Sequence, residues 1–596
     1  VKKIHAPVRI LPVFVAAGLS LLSLVSASLA QTAPDMDDAI KRIREEGMNH
    51  SQYMKTLSYL TDVIGPRLTG SPNLKHANEW TKETLTSFGL SNAKLEAWGP
   101  FGRGWALKRF SAEVVEPYAF PLIAAPKAWS PGMKKAVSSA DVIYIDARTE
   151  ADLEKYKGKL KGAVVLISPV RNVPLRFEPL ATRQTDESLE RMANSTSAGG
   201  RGGAPRGGGR RGGGAGTNAT TNATTNAVAA GGGGGRRGGA GGGFGGANLQ
   251  GRILAMCLAE GAVLTLSPST TGDAGTIFVS QAALPAAAPQ GTNAANRRGA
   301  GAARGAAATT NAPAGGRRGG PTYYSLDAPP MPPQVAVAVE DYNRLIRMVQ
   351  QGAKVKIAAN LETEYFTKDP MAYNTTAEIP GTDLKDEIVM VGGHMDSWQS
   401  GTGATDNGAG VACSMEAVRI IKALDLKPRR TIRIGLWTGE EQGLMGSAAY
   451  VRQHFGYYTN NGDGRQLVKL PEYDKFSSYF NLDNGTGKIR GIYLQGNPGP
   501  REIFAKWLEP FSDLDAKTVT INNTGGTDHQ SFDGINLPGF QFIQDTLDYN
   551  TRTHHSNEDV FDRIQAGDMK QASTIMAAFA YQAAMRDEKI PRKPTE

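Results

Sequence analysis

An α/β fold whose central sheet is mainly parallel and flanked by helices is the architecture this sequence predicts, on three observations. From Asp386 onward, apolar runs of strand length alternate with longer stretches at helical spacing. At 596 residues and 40% hydrophobic content, the chain has material for two or three domains with real cores. Metal-ligand residue types recur where the apolar runs end, at His394, Asp406, Glu440 and Glu441, Asp483 and His555. Sheets of this kind place function just beyond the carboxyl ends of their strands.

Taken from the N-terminus, Lys2, Lys3 and Arg9 precede or open an apolar run over 10–25 that ends at Ser28-Leu29-Ala30. That is the pattern of a secretory signal peptide over 1–30, cleaved before Gln31. The run is too short for a membrane anchor. A periplasmic or extracellular protein with no stable membrane anchor after cleavage is therefore expected. Cys257 and Cys413, the two cysteines, both lie in apolar helix-like stretches and read as buried free thiols.

Residues 31–134 are assigned to the N-terminal part of the main domain, and 135–340 to a small β-rich domain. Strand-like runs at 140–145, 162–167, 262–266 and 334–338 define the second unit. Two low-complexity tracts of Gly, Ala, Asn, Thr and Arg interrupt it, at 195–247 and 284–322. They hold too little apolar surface to offset the entropy of ordering and are expected to be disordered. The tracts also decide how the net charge of +9 is read. Without their six and five arginines, and the three basic residues of the leader, the remainder stands at −5. A mildly acidic body with basic, aromatic-poor tracts argues against a nucleic-acid partner.

Residues 341–596 form the expected main catalytic domain. A helix is predicted on the spacing of Tyr342, Leu345, Ile346 and Val349, then a strand at 353–359. The alternation continues with strands at 387–392, 431–437, 476–482, 519–522 and 539–543. Helices are predicted at 408–424, 444–454 and 502–511, with a long amphipathic one at 566–584.

The ligand candidates gain meaning from these positions. His394 and Asp396 offer an imidazole and a carboxylate that can orient it. Asp406 precedes Asn407-Gly408-Ala409-Gly410 at a helix start, where one reading is a helix cap. A carboxylate can also bridge two cations at the spacing two-metal hydrolases use. Of the adjacent Glu440 and Glu441, one can bind metal while the other faces the attacking water as general base. Asp483 ends a strand, and His554-His555 sits beside acidic residues in a chain with eight histidines. Carboxylate and imidazole without cysteine suit zinc, with manganese or cobalt as substitutes.

These residues carry a resemblance. Gly393-His394-Met395-Asp396, the Asp406–Val411 stretch, Glu440-Glu441-Gln442-Gly443-Leu444-Met445-Gly446-Ser447, Asn481-Leu482-Asp483 and His555-Ser556-x-x-Asp559 occur in that order. The series is similar to the co-catalytic zinc exopeptidases that include bacterial leucyl aminopeptidases, carboxypeptidase Q and glutamate carboxypeptidase II. The segment from Leu60 to Ser71 resembles the N-terminal part of the carboxypeptidase Q branch, and the β-rich unit resembles an inserted protease-associated domain. The resemblance implies a phosphorylase/hydrolase-like fold and two zinc ions bridged by Asp406. His394 and Asp483 would hold one ion, Glu441 and His555 the other. Glu440 becomes the general base, supported by Asp396, and Asp528, His529, Tyr549 and Arg552 become substrate-side candidates. A peptide substrate and a homodimer are implied. Transferrin receptor resembles the same enzymes without a full metal site, so a non-catalytic binding protein on this scaffold is the alternative; here every ligand position is filled.

Overall fold

The computed structural model describes residues 35–198, 243–286, 321–460 and 465–594. The expected signal peptide and most of both Gly/Arg tracts lie outside the described residues. One edge of those expectations is corrected, because the helix Gly243–Glu260 begins inside the span expected to be disordered. Its apolar residues Ile253, Leu254 and Cys257 are buried and anchor its C-terminal half.

The central sheet has eight strands in the order Ser91–Trp98, Ala372–Ile379, Arg430–Trp437, Leu384–His394, Phe476–Asn481, Gly539–Gln544, Ile489–Tyr493 and Thr518–Thr520. Its four middle strands, from Arg430–Trp437 to Gly539–Gln544, run parallel to one another. Outside them the direction reverses at Ala372–Ile379 and at Ile489–Tyr493. Only four residues join Ala372–Ile379 to Leu384–His394. That is too few for the crossover a parallel pair requires, so the chain turns back. The mainly parallel expectation thus holds at the centre of the sheet, and the edges are mixed.

Helices cover both faces. On one side Met36–Asn49, Ala409–Ala423 and Ala566–Met585 pack into the largest apolar core. The other side carries Met445–His454 over an aromatic cluster of Trp437, Tyr450, Phe455, Tyr479 and Phe532. The predicted amphipathic helix at 566–584 is corrected here. Ala566–Met585 is buried on nearly every side from Asp568 to Ala584, because it lies between two helices and the sheet.

A second eight-stranded sheet has the order Phe120–Pro121, Gly104–Glu116, Lys356–Phe366, Val137–Tyr144, Val164–Leu166, Leu264–Pro268, Gln334–Val337 and Ala124–Pro126. Its longest pairing, Gly104–Glu116 against Lys356–Phe366, runs from Gly104↔Phe366 to Glu116↔Lys356. The sheet therefore reaches beyond the 135–340 span on both sides. Both cysteines are free and buried, as their apolar settings predicted. Among the described residues, no helix is long and apolar enough to cross a membrane.

Candidate metal centre

The four parallel strands end on one edge, and each exit delivers a ligand candidate. His394 is the last residue of Leu384–His394; Glu440 and Glu441 follow Arg430–Trp437; Asp483 follows Phe476–Asn481. His554 and His555 lie on the segment that leaves Gly539–Gln544. Parallel neighbours bring these exits together although the residues are up to 161 positions apart in sequence.

Asp406 occupies the middle. Its Oδ1 lies 3.2 Å from His394 Nε2, and its Oδ2 lies 3.2 Å from His555 Nε2. Asp483 approaches His394 Nε2 to 3.4 Å, and Glu441 approaches His555 Nε2 to 2.9 Å. One carboxylate thus presents one oxygen to each of two imidazole–carboxylate pairs. His554 stands farther off, 3.6 Å from Asp406 Oδ2. Glu440 lies 3.9 Å from His394 Nε2. Within this cluster His394 Nε2, Asp406 Oδ2 and Glu441 Oε1 are buried without a hydrogen-bond partner. Buried polar atoms are rarely left so. Three overlapping groups of these side chains bring ligand atoms within 4.8 Å of one another. The donor set, oxygens and imidazole nitrogens, fits a borderline-soft divalent cation.

The helix-cap reading of Asp406 is overturned. Asn407 does the capping: its Oδ1 accepts the Gly410 N–H at 2.8 Å, while its Nδ2 donates to the Leu482 carbonyl at 2.9 Å. Both Asp406 oxygens are left for the imidazoles. The same Asn407 side chain ties the Asp406 turn to the exit that carries Asp483.

Asp396 holds the glutamate loop. Its two oxygens accept the backbone N–H groups of Glu440 at 3.2 Å and Glu441 at 3.3 Å, and the Thr69 hydroxyl at 2.9 Å. Its carbonyl lies 3.0 Å from His394 Nδ1, so the His394 ring is oriented by the Asp396 backbone. Its carboxylate stands back at 3.6 Å.

Electrostatics follow from four acids and two imidazoles in a largely buried cleft. Burial, together with the charges of Asp483, Asp528 and Glu441, raises Glu440 well above the usual carboxyl range, against the pull of His394. Burial likewise raises Glu441 to about 7, with Asp406 adding to it and His555 opposing. Burial alone would pull His394 and His555 down, but the surrounding carboxylates outweigh it and raise both. A field that holds protons on imidazoles is one that draws a cation.

A model of peptidase family M28 matches residues 374–580, the span that carries every one of these ligands. That part of the chain is thus similar to peptidase family M28. Carboxypeptidase Q of Mus musculus is 32% identical over 266 residues, 45% of this chain and 53% of its own. The Homo sapiens carboxypeptidase Q is also 32% identical over 266 residues, 45% of this chain and 52% of its own. The chain spans about half the length of these curated relatives. The crystal structure of a peptidase M28 precursor from Shewanella amazonensis SB2B shares the fold, with a TM-score of 0.56 at 21% identity, covering 94% of this chain and 99% of that one.

The remaining candidates divide. Tyr549 lies beside the ligand cluster, buried, its ring 4.7 Å from that of His554, and burial beside Asp406 raises its hydroxyl well above the ordinary value. Asp528 is buried with neither oxygen hydrogen-bonded among the described residues, and burial raises it to about 7. His529 is buried and turned to its own loop, with Nε2 3.2 Å from the Thr524 carbonyl; burial lowers it to about 4. Arg552 is part-buried, and no contact of its guanidinium with the ligand cluster is observed among the described residues.

Two residues near the ligands had been given no role. Arg67 is wholly buried and donates to the carbonyls of Met395, Gly403, Thr402, Gly65 and Leu60 at 2.7 to 3.4 Å. It thereby joins the His394 exit to the Asp406 turn. Asp559 accepts the Thr405 N–H on Oδ1 at 2.5 Å, and Thr405 bonds Thr553 at 2.8 Å, joining that turn to the His555 segment. Arg67 stands in the Leu60–Ser71 segment and Asp559 closes the His-Ser-x-x-Asp pattern, which were the sequence signals for both.

Proposed function

We propose that this chain is an exported, zinc-dependent exopeptidase that removes a terminal residue from short peptides, using two metal ions. The observation that carries the reading is the pair of Asp406 oxygens, each facing its own imidazole–carboxylate pair. His394 and Asp483 would hold one zinc, Glu441 and His555 the other, with Asp406 shared. Manganese or cobalt would substitute in the same donor set. Bound there, the cations supply Lewis acidity toward the scissile carbonyl and lower the pKa of the attacking water.

The protein's own part is proton handling and positioning. Glu440, beside the ligands, takes a proton from the water and returns it to the leaving amine. Asp396 keeps that carboxylate in register through the Glu440 and Glu441 backbone N–H groups. Tyr549 and Asp528 face the substrate side, and His529 supports that wall from behind. Arg552 completes the substrate-side set only by turning inward when peptide binds. The second-sheet unit corresponds to a protease-associated domain. A homodimer outside the cytoplasm, with neither nucleic acid nor membrane as partner, completes the proposal.

A dipeptide panel blocked at one end or the other tests it. The expected result is cleavage that requires one free terminus and is abolished by chelation. Cleavage of peptides blocked at both ends, or none after zinc or manganese is supplied, would overturn it.

A further inference from the structure

The segment 545–557, which carries Tyr549 and both histidines, is gripped by two arms from the second-sheet domain. The arms leave the carboxyl ends of neighbouring parallel strands, Val164–Leu166 and Leu264–Pro268. The first arm pairs Thr182 with Leu547 through both backbone N–H groups, at 3.1 and 2.9 Å. Around that bridge the Thr551 hydroxyl donates to the Leu180 carbonyl at 2.6 Å, and Gln184 N–H donates to Asp545 at 2.8 Å. Arg183 reaches Asp545 and Asp568 at 2.8 and 2.7 Å.

The second arm meets the ligand itself. Val279 N–H donates to the His555 carbonyl at 3.0 Å, and Asn557 N–H donates to the Ile277 carbonyl at 3.2 Å. The Asn557 side chain accepts Ile277 N–H at 2.7 Å and donates to the Gly275 carbonyl at 3.3 Å. Between these anchors His555 has φ +62°, a left-handed conformation that a non-glycine residue keeps only when its neighbours hold it there. His394, Asp406 and Asp483, by contrast, are placed by the strands and turns of the first sheet, with Arg67 bonding Met395, Thr402 and Gly403 beneath them. The second-sheet domain meets that loop only farther on, where Gln399 donates to the Pro126 and Ser280 carbonyls.

We propose that the second-sheet domain is a working part of the metal centre. Its arms at 180–184 and 275–279 hold the His555 segment in place, so the His555-side cation is bound by both domains jointly, whereas the His394-side ligands themselves are placed by the first-sheet domain. Asn557 is the chief positioning residue. The inference rests on the two-metal reading above and assigns the inserted domain a role in forming the site.

Calorimetric titration of the metal-free full chain with zinc alone tests it, with His555→Ala marking which equivalent belongs to the His555 side. In Asn557→Ala that equivalent should weaken about tenfold, the scale for losing support around a ligand. The other equivalent should stay unchanged, and the metal-free unfolding temperature should fall by no more than about 3 °C for the lost Ile277 and Gly275 bonds. Arg183→Ala, a half-exposed change on the other arm, should weaken the same equivalent by less. Wild-type affinity for both equivalents in both variants would overturn the proposal, as would equal weakening of the two. Failure of the wild-type chain to bind two zincs would instead overturn the metal reading, and this inference with it.

Discussion

Replacing Arg67 with methionine tests whether the ligand loops are held from beneath, as the structure indicates. The guanidinium is wholly buried and serves five backbone carbonyls, with Asp559, Asp396 and Asp406 nearby as counter-charges. Burial lowers it only to about 10, so it stays charged at neutral pH. Methionine fills much of the volume and supplies no donor. The Gly403 and Leu60 carbonyls keep the N–H groups of Gly408 and Gly65. Those of Met395, Thr402 and Gly65 are the ones most exposed to the loss. An orphaned buried group costs roughly 1–3 kcal/mol, and neighbouring losses are not additive, so a total of about 3–5 kcal/mol is expected. The metal-free unfolding temperature should fall by about 5 °C, and zinc affinity should fall with it, because Met395 and Thr402 flank His394 and Asp406. Arg67→Lys keeps the charge but loses the fork of donors, and should recover less than half of the loss. Differential scanning calorimetry and zinc titration read both. An Arg67→Met protein that melts within about 1 °C of wild type, less than 1 kcal/mol produces even in a larger domain, would refute this account of the loops.

Three further outcomes are expected. Glu440→Gln should abolish turnover while metal content stays near wild type, read by steady-state kinetics and elemental analysis; wild-type rates would contradict the assigned base. Gly410→Ala should weaken metal binding, since its methyl would meet the Leu482 carbonyl and the Asn407 side chain that braces Asp406; an unchanged zinc titration would contradict that. Acid stability should track the cluster of Glu96, Glu472 and His454. Burial disfavours both carboxylates, but hydrogen bonds from His454, aided by Lys94, Thr376 and Arg433, hold each at about 2 instead of 4.5. Their contribution is therefore present above pH 4.5 and lost as pH falls toward 2, whereas that of His454, whose folded pKa is raised, is full below 6.5 and lost as pH rises through the folded value. His454→Gln should flatten the fall in melting temperature between pH 5 and pH 3, and an unchanged slope would contradict it.

The candidates at His394, Glu440, Glu441 and Asp483 were legible in the sequence because each closes or follows a short apolar run, and parallel strands bring those exits to one edge. Those positions and their chemistry marked the candidates, while the assignment of His394, Asp406, Glu441, Asp483 and His555 as the ligand set, and of His555 over His554, came from the resemblance. What stayed hidden depends on contacts between residues far apart in sequence. That Asn407 caps the helix in place of Asp406 follows from its bond to Leu482, 75 residues away. Arg67 reaches Thr402 and Gly403 across more than 330 residues. The second sheet overran its expected limits because the pairing of Gly104–Glu116 with Lys356–Phe366 leaves no local mark in either strand. Ala566–Met585 looked amphipathic because its neighbours on the second face, Met36–Asn49 among them, are distant in sequence. His529 sat in a resembling segment, but only the fold shows that its Nε2 bonds the Thr524 carbonyl.

The central claim is that Asp406 divides one buried acidic cleft into two cation sites. Elemental analysis of the purified mature protein, paired with zinc titration of its chelator-stripped form, tests this most directly. The account predicts about two zinc equivalents per chain in both measurements, and loss of both tight equivalents in Asp406→Asn. A single equivalent, or an Asp406→Asn protein that binds two as tightly as wild type, would contradict it.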